Sequence, residues 1–137
     1  MNTLFEKSIR TLELPAVLEM LAALAVSDAA KEKCRNLTPV CELEEALHLQ
    51  AETQSARDRL GLYGSPSFSG VKDVSRALSR ADHGGVLNTR ELLDVADLLT
   101  ASRRVSEYDR EKQEEKTMLD HLFSALHTNK FLEDKIH

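Results

Sequence analysis

The sequence predicts an all-α protein, and three observations support this fold class. The hydrophobic residues, 42% of the chain, are mostly Leu, Ala and Val, and Leu and Ala favour helix over strand. Only five Gly and three Pro interrupt the 137 residues, so long helices are expected. Apolar residues also recur at helical spacing, beginning with Leu4, Phe5, Ile9 and Leu12. We expect an elongated assembly of about six to eight helices, built as a single helical domain over residues 1–137.

The first part of the chain predicts three short helices. A helix over residues 3–12 is followed by a second that carries Pro15 in its first turn, where a missing backbone N–H costs no hydrogen bond. Ser27 is a typical N-cap for a third helix, which continues to about Asn36. Pro39 is expected to end this part of the chain.

The middle of the chain predicts a charged helix, a turn region and a short helix. The charged helix spans about Leu43–Leu62, and we expect it to be partly buried because its apolar residues form no clean stripe. Residues 61–70 are rich in Gly, Pro and Ser and form a corner that orients two long helices. The short helix spans about Val71–Arg80, and the double glycine at residues 84–85 then turns the chain.

The longest helix is predicted near residues 88–115. Asn88 or Thr89 is expected to cap it, since acidic residues follow in its opening turns. One or two terminal helices are predicted after it, over about residues 117–127 and 130–136.

The charge balance argues against an autonomous nucleic-acid binder. Eighteen Lys and Arg face 23 Asp and Glu, a formal net charge of −5, whereas phosphate binding rests on an excess of cations. The local basic excess consists of seven arginines, which either steer an anionic partner or pair with the many carboxylates. Ion pairing is the favoured interpretation for Arg57, Arg59, Arg76, Arg80, Arg90, Arg103 and Arg104.

Localisation follows from the apolar pattern and the cysteines. No stretch of about 18 apolar residues is present, so no membrane span and no membrane partner are expected. The N-terminus lacks the pattern of a signal peptide. We therefore expect a cytoplasmic chain in which Cys34 and Cys41 are free thiols.

Several residues of the sequence are candidates for chemical sites. The stretch from Gly64 to Lys72 is the nearest approach to a phosphate-binding loop, but it lacks the Gly before Lys72 and the Ser or Thr after it. His83 stands beside two glycines, and a helix C-terminal histidine is favoured over a loop site residue. The carboxylates of residues 107–115 alternate with cations and indicate a solvated helix face. We expect no catalytic, cofactor-binding or metal-binding residue, and no cofactor in this chain.

A spaced pattern in the centre of the chain carries a family resemblance. Its parts are Gly64-Ser65-Pro66, Phe68, Gly70-Val71, Asp73-Val74, Ala77-Leu78, Arg80-Ala81 and Gly84-Gly85-Val86-Leu87. This pattern resembles the N-terminal region of the second MutS-type family of bacteria, relatives of the mismatch-repair ATPase MutS. The flanks agree, at Leu12-Glu13, Val17-Leu18, Leu21-Ala22, Glu91 to Ala96 and Ala101 to Arg104. The resemblance extends from about Leu4 to Ile136.

The resemblance implies a role inside a larger protein. Members of the family have an N-terminal helical core and lever region, an ATPase domain that dimerises and uses ATP and Mg²⁺, and often a C-terminal Smr nuclease module. They are described as DNA-binding ATPases that restrain recombination and as factors that act on stalled ribosomes. This chain matches the first region alone and stops before any Walker A or Smr sequence, so we expect a non-catalytic core/lever segment. Its partners would be the rest of a homodimeric parent protein and, through it, DNA or the ribosome.

Two further interpretations accompany that resemblance. The chain is alternatively a stand-alone helical protein-interaction module that uses apolar stripes on Leu43–Leu62 or Met118–Leu126. In addition, the sequence Phe131-Leu132-Glu133 matches the Phe-x-Glu motif with which MutS inserts a Phe between bases. It lacks the glycine context of that motif, and we interpret the match as a coincidence.

Overall fold

A computed structural model describes residues 3–112 and 116–137, and every structural statement below concerns these residues. They form eight α-helices and no strand, which confirms the all-α class. The helices are α1 (Thr3–Thr11), α2 (Leu14–Leu24), α3 (Asp28–Arg35), α4 (Leu43–Tyr63), α5 (Ser75–Asp82), α6 (Thr89–Lys112), α7 (Asp120–Ser124) and α8 (Lys130–Ile136).

The chain divides into two compact units, unit 1 (Met1–Pro39) and unit 2 (Val40–His137). The boundary falls at Pro39, where the sequence predicts the end of the first helical part. The elongated arrangement and the single domain over residues 1–137 stay predictions.

Unit 1 contains three helices in which α2 packs against both α1 and α3. The backbone N–H of Ala30 donates to Ser27 Oγ at 3.2 Å, which confirms Ser27 as the N-cap of α3. Arg35 of α3 donates from Nε and Nη2 to the two carboxylate oxygens of Glu19 on α2, at 2.9 and 2.8 Å. This bidentate pair lowers the pKa of the Glu19 carboxyl and fixes α3 against one side of α2.

The helices around the corner differ from their predicted bounds. Helix α4 continues through Gly61 to Tyr63 and ends at Gly64, whose φ of 76° favours glycine. Helix α5 begins at Ser75 rather than at Val71. The Asp73 carboxylate accepts a hydrogen bond from the Ser75 N–H at 2.9 Å, a turn that competes with helix over these residues.

The long helix α6 begins with a reciprocal cap. The Asn88 N–H donates to Glu91 Oε2 at 2.9 Å, and the Glu91 N–H donates to Asn88 Oδ1 at 3.0 Å. Asn88 rather than Thr89 is therefore the N-cap. The helix comprises 24 residues, and at a rise of about 1.5 Å per residue it spans about 36 Å. The last three residues of the predicted helix, 113–115, lie outside the described residues.

The end of the chain folds back on α6. The predicted helix over residues 117–127 is shorter, α7 (Asp120–Ser124), because Asp120 Oδ1 accepts hydrogen bonds from the Thr117 N–H and hydroxyl, both at 3.0 Å. Helix α8 has its predicted bounds and packs against α6. Buried small residues of α6, among them Ala96 and Ala101, form part of the core of unit 2.

A candidate docking groove around Arg59

Unit 2 contains an apolar groove with a cavity of about 370 Å³. Helix α4, the corner, α6 and the residues around α7 contribute its walls. We call it the Arg59 groove, and its lining residues are Ala56, Arg59, Leu60, Pro66, Phe68, Val105, Tyr108, Leu119, Leu122, Phe123 and Leu126. A pocket of this size and composition is typical of a site that binds apolar groups.

The corner forms one wall of the groove. Pro66 and Phe68 line it, and the Phe68 ring is partly exposed rather than enclosed in a core. The Tyr108 hydroxyl of α6 donates to the Gly64 carbonyl oxygen at 2.8 Å, which ties the corner to the long helix. The corner is thus fixed to α6 at the point where α4 ends, in agreement with a structural role.

Arg59 lies at the base of the groove and joins three helices. Only 6% of the residue is exposed. Its Nη2 donates to Asp109 Oδ1 at 2.8 Å and to the Asp109 carbonyl oxygen at 3.3 Å. The guanidinium carbon lies 5.2 Å from the ring centre of Tyr108 and 4.7 Å from that of Phe123. The charge is therefore neutralised by Asp109 and enclosed by two rings.

The polar groups of the guanidinium are not fully satisfied. Arg59 Nε is buried and has no hydrogen-bond partner among the described residues. Such a group carries a desolvation penalty that its neighbours must offset. From the sequence, Arg59 is one of seven arginines for which ion pairing is predicted, with no separate role. One signal was available, because Arg59 lies on the same helical face as Ala56, Leu60 and Tyr63.

Three of the six other arginines for which ion pairing is predicted have an acidic partner. Arg80 pairs with Glu91, Arg90 lies 3.7 Å from Asp94, and Arg103 contacts Glu107 at 3.1 Å. Together with Arg59, these pairs confirm ion pairing for four of the seven arginines. Arg57, Arg76 and Arg104 make none of the ion pairs seen within the described part of the chain.

A second polar cluster attaches α8 to α6. The buried Glu133 carboxylate accepts from Arg103 Nη2 at 2.8 Å, from Arg103 Nε at 3.1 Å and from the Thr100 hydroxyl at 2.7 Å. The hydrogen bonds from Arg103, and then that from Thr100, lower the pKa of Glu133 to about 2. Phe131 is exposed, whereas Glu133 holds the helices together. The interpretation of the Phe-x-Glu match as a coincidence stays a prediction.

The remaining candidate residues have ordinary structural partners. His83 is the C-cap residue of α5, and its Nδ1 lies 2.7 Å from the Ser79 carbonyl oxygen, which agrees with the helix C-terminal interpretation. Lys72, at the end of the phosphate-loop candidate, pairs with Asp94. Cys34 and Cys41 are free thiols.

No group of three or more His, Cys, Asp or Glu side chains within residues 3–112 and 116–137 is arranged to hold a metal ion. None of the described helices combines the length and apolar composition that crossing a membrane requires.

Comparison with known proteins gives the family. No protein-family profile matches the chain. Endonuclease MutS2 of Agathobacter rectalis is 38% identical over 133 residues, which are 96% of this chain and 17% of that protein. Endonuclease MutS2 of Acetivibrio thermocellus is 34% identical over 135 residues, again 96% of this chain and 17% of the relative.

A third relative agrees with these two. Endonuclease MutS2 of Lachnoclostridium phytofermentans is 42% identical over 103 residues, 75% of this chain and 13% of the relative. The chain thus spans at most 17% of the length of these three relatives. Across that part, the chain belongs to the MutS2 family.

Proposed function

We propose that this chain is a non-catalytic helical core/lever segment of a larger MutS-like ATPase. One observation carries the proposal: the similarity covers 96% of the chain but 17% of the relative from Agathobacter rectalis. In this proposal, the segment supplies packing surfaces to the larger protein. We assign ATP binding and DNA cleavage to other parts of that larger protein. The chain is proposed to act in the cytoplasm.

The chemistry of the Arg59 groove supports binding rather than catalysis. Its lining is apolar apart from Arg59, whose charge is neutralised by Asp109. A catalytic site requires a nucleophile or an acid–base pair within hydrogen-bond reach of the reacting atoms, and the groove lining contains neither. Leu60, Phe68 and Leu122 are exposed at the groove, as expected for a surface that another apolar element covers.

The activities of the larger protein follow from the family resemblance. The parent is proposed to be a homodimer that binds ATP and Mg²⁺ in an ATPase domain outside this chain. It is proposed to act on DNA, where it restrains recombination, or on stalled ribosomes, and to carry an associated endonuclease activity. This segment would transmit motion between the ATPase domain and the part that contacts DNA or the ribosome.

DNA binding by the isolated chain tests the assignment of a non-catalytic segment. Fluorescence anisotropy with labelled duplex and branched DNA at about 150 mM salt is expected to give dissociation constants no tighter than the non-specific range of about 10⁻⁴–10⁻⁶ M. Submicromolar binding with a steep salt dependence would assign direct DNA recognition to this chain and contradict the proposal.

The reading frame provides an independent test. A P-loop and a dimeric ATPase sequence are expected downstream of His137 in the gene that contains this sequence. A natural stop codon directly after His137 would overturn the assignment to a larger ATPase.

A stand-alone protein-interaction module is the second candidate. The observation that favours it is the apolar exposure of α4, where Leu43, Leu47 and Leu62 all lie exposed. Exposed leucines on a helix are typical of a surface that binds another protein. This candidate predicts a gene that ends with this chain and one stoichiometric partner whose binding is lost in a Leu47→Asp variant. A longer reading frame would exclude it.

A further inference from the structure

Helix α2 of unit 1 has the composition of a buried helix. Ten of the eleven residues in its sequence, LPAVLEMLAAL, are apolar, and Glu19 is its one charged residue. A helix that is apolar on all sides is normally surrounded by other elements. Yet Val17 is 55% exposed, Met20 72% and Leu24 82%, although α1 and α3 both pack against α2.

The large apolar residues of α2 that are exposed share one side of the helix. Val17, Met20, Leu21 and Leu24 follow at spacings of three and four, which places them within an arc of about 100°. We call them the α2 face. Ala22, which is fully buried, lies about 150° around the helix from the centre of this arc. The α2 face therefore points away from the packing within unit 1.

Unit 1 contains little buried surface. Ala22 is the one buried residue among the described residues of unit 1. Units of about 40 residues without a disulfide or a metal normally depend on association with another chain or segment. The single charge of α2, on Glu19, is bound by Arg35. The α2 face itself therefore carries no charge and no polar group.

We propose that a helix of the longer MutS2-type protein, outside the present sequence, packs on the α2 face. This inference rests on the proposed function. The spacing of three and four residues matches the ridges and grooves by which helices pack on one another. Because the α2 face has no charge, the occupying helix presents an apolar stripe without ion-pairing residues. The relative from Agathobacter rectalis contains ample chain to supply it, since the match covers 17% of its length.

Thiol labelling tests the proposal in the full-length protein encoded by the gene that contains this sequence. Met20→Cys places a thiol on the α2 face, and Asp28→Cys is the control, because the Asp28 side chain is 96% exposed at the start of α3. Each variant is alkylated with N-ethylmaleimide, and the rate is read peptide by peptide by mass spectrometry. In the full-length protein, Met20→Cys is expected to react about tenfold or more slowly than Asp28→Cys.

The isolated 137-residue chain supplies the comparison. There the rate of Met20→Cys relative to that of Asp28→Cys is expected to be at least about tenfold higher than in the full-length protein, since the covering helix is missing. Rapid labelling of Met20→Cys in the full-length protein overturns the proposal. If Met20→Cys is alkylated slowly in the isolated chain and rapidly after dilution, a second copy of the chain covers the α2 face. If Met20→Cys is alkylated slowly only in the presence of phosphatidylglycerol vesicles, a lipid surface covers it. Both results overturn the proposal.

Two additional measurements keep the test decisive. If the Met20→Cys variant does not fold, amide hydrogen exchange of α2 in the unmodified protein replaces the labelling experiment. We expect these amides to exchange at least about tenfold more slowly in the full-length protein than in the isolated chain. ATP hydrolysis by the same preparation separates the two claims. A full-length protein that hydrolyses ATP but leaves the α2 face reactive contradicts this inference alone, and one without ATPase activity contradicts the proposed function.

Discussion

Replacement of Arg59 by alanine tests how α4 packs against α6 and α7 in unit 2. The substitution removes the hydrogen bonds to Asp109 and the contacts with the rings of Tyr108 and Phe123. It also leaves the largely buried Asp109 carboxylate without its cation. Because Arg59 links α4 to α6 and to α7, we expect the whole of unit 2 to lose stability.

The magnitude follows from three contributions. Removal of one partner of a buried ion pair costs about 3–5 kcal/mol. Loss of cation–π contacts adds about 1 kcal/mol. Removal of the unsatisfied Nε relieves a desolvation penalty of about 1–3 kcal/mol. The net loss is about 3 kcal/mol, which corresponds to a decrease in Tm of about 12–24 °C for a unit of this size.

Urea and thermal denaturation followed by circular dichroism at 222 nm measure this loss. Arg57→Ala is the matched control, since Arg57 is exposed on the same helix and makes none of the described ion pairs. We expect the control to change the free energy of unfolding by no more than about 0.5 kcal/mol. If Arg59→Ala and Arg57→Ala unfold at the same temperature, the central role of Arg59 is refuted.

Four other predictions concern single positions in unit 2. Gly61→Ala is expected to stabilise the protein by about 0.5–1 kcal/mol in urea denaturation, because Gly61 lies inside α4 and a Cβ there meets no atom within 4 Å. Gly85→Ala is expected to destabilise it, because its Cβ would lie 2.6 Å from Arg80 Cγ and 2.8 Å from the Arg80 carbonyl oxygen. The lowered pKa of Glu133, about 2 against an ordinary 4.5, predicts stability that is fully present above about pH 4.5 and is lost as the pH falls towards 2, in a series of Tm measurements. Ala101→Leu is expected to cost about 1–3 kcal/mol in chemical denaturation, because Ala101 is 1% exposed and leaves no room for a larger side chain.

Each of these predictions has an outcome that would contradict it. A destabilised Gly61→Ala variant would mean that α4 ends before Gly61. An unchanged Gly85→Ala variant would remove the close approach to Arg80. For Glu133, the comparison is Glu133→Gln, which should lose the pH dependence between about 4.5 and 2. An unaltered pH profile in that variant, or a stable Ala101→Leu variant, would argue against the packing of α8 and α6.

The sequence predicts helices well where local chemistry decides them. Ser27 and Asn88 act as caps through side chains within three residues of their partners, so the starts of α3 and α6 can be read from the sequence. The errors in the predicted helix bounds also have local causes. The carboxylates of Asp73 and Asp120 accept hydrogen bonds from nearby backbone N–H groups, so that one helix begins later than predicted and another is shorter. The apolar periodicity of the sequence gives no indication of these hydrogen bonds.

The groove could not be predicted in the same way. Arg59 and Asp109 are 50 residues apart in the chain, and their pairing depends on how α4 and α6 pack. In the sequence of α4, Arg59 lies next to the apolar residue Leu60. This position does not determine whether the guanidinium charge is exposed or buried. Likewise, the sequence identifies α2 as apolar, and only the packing of unit 1 reveals which of its sides lacks a neighbour.

Titration calorimetry with Mg·ATP tests the central claim most directly. The full-length protein and the isolated 137-residue chain are titrated under the same conditions. We expect saturable binding heat for the full-length protein and none for the isolated chain, because we assign the ATPase domain to residues outside this segment. Stoichiometric ATP binding by the isolated chain, or no binding by the full-length protein, would contradict this assignment.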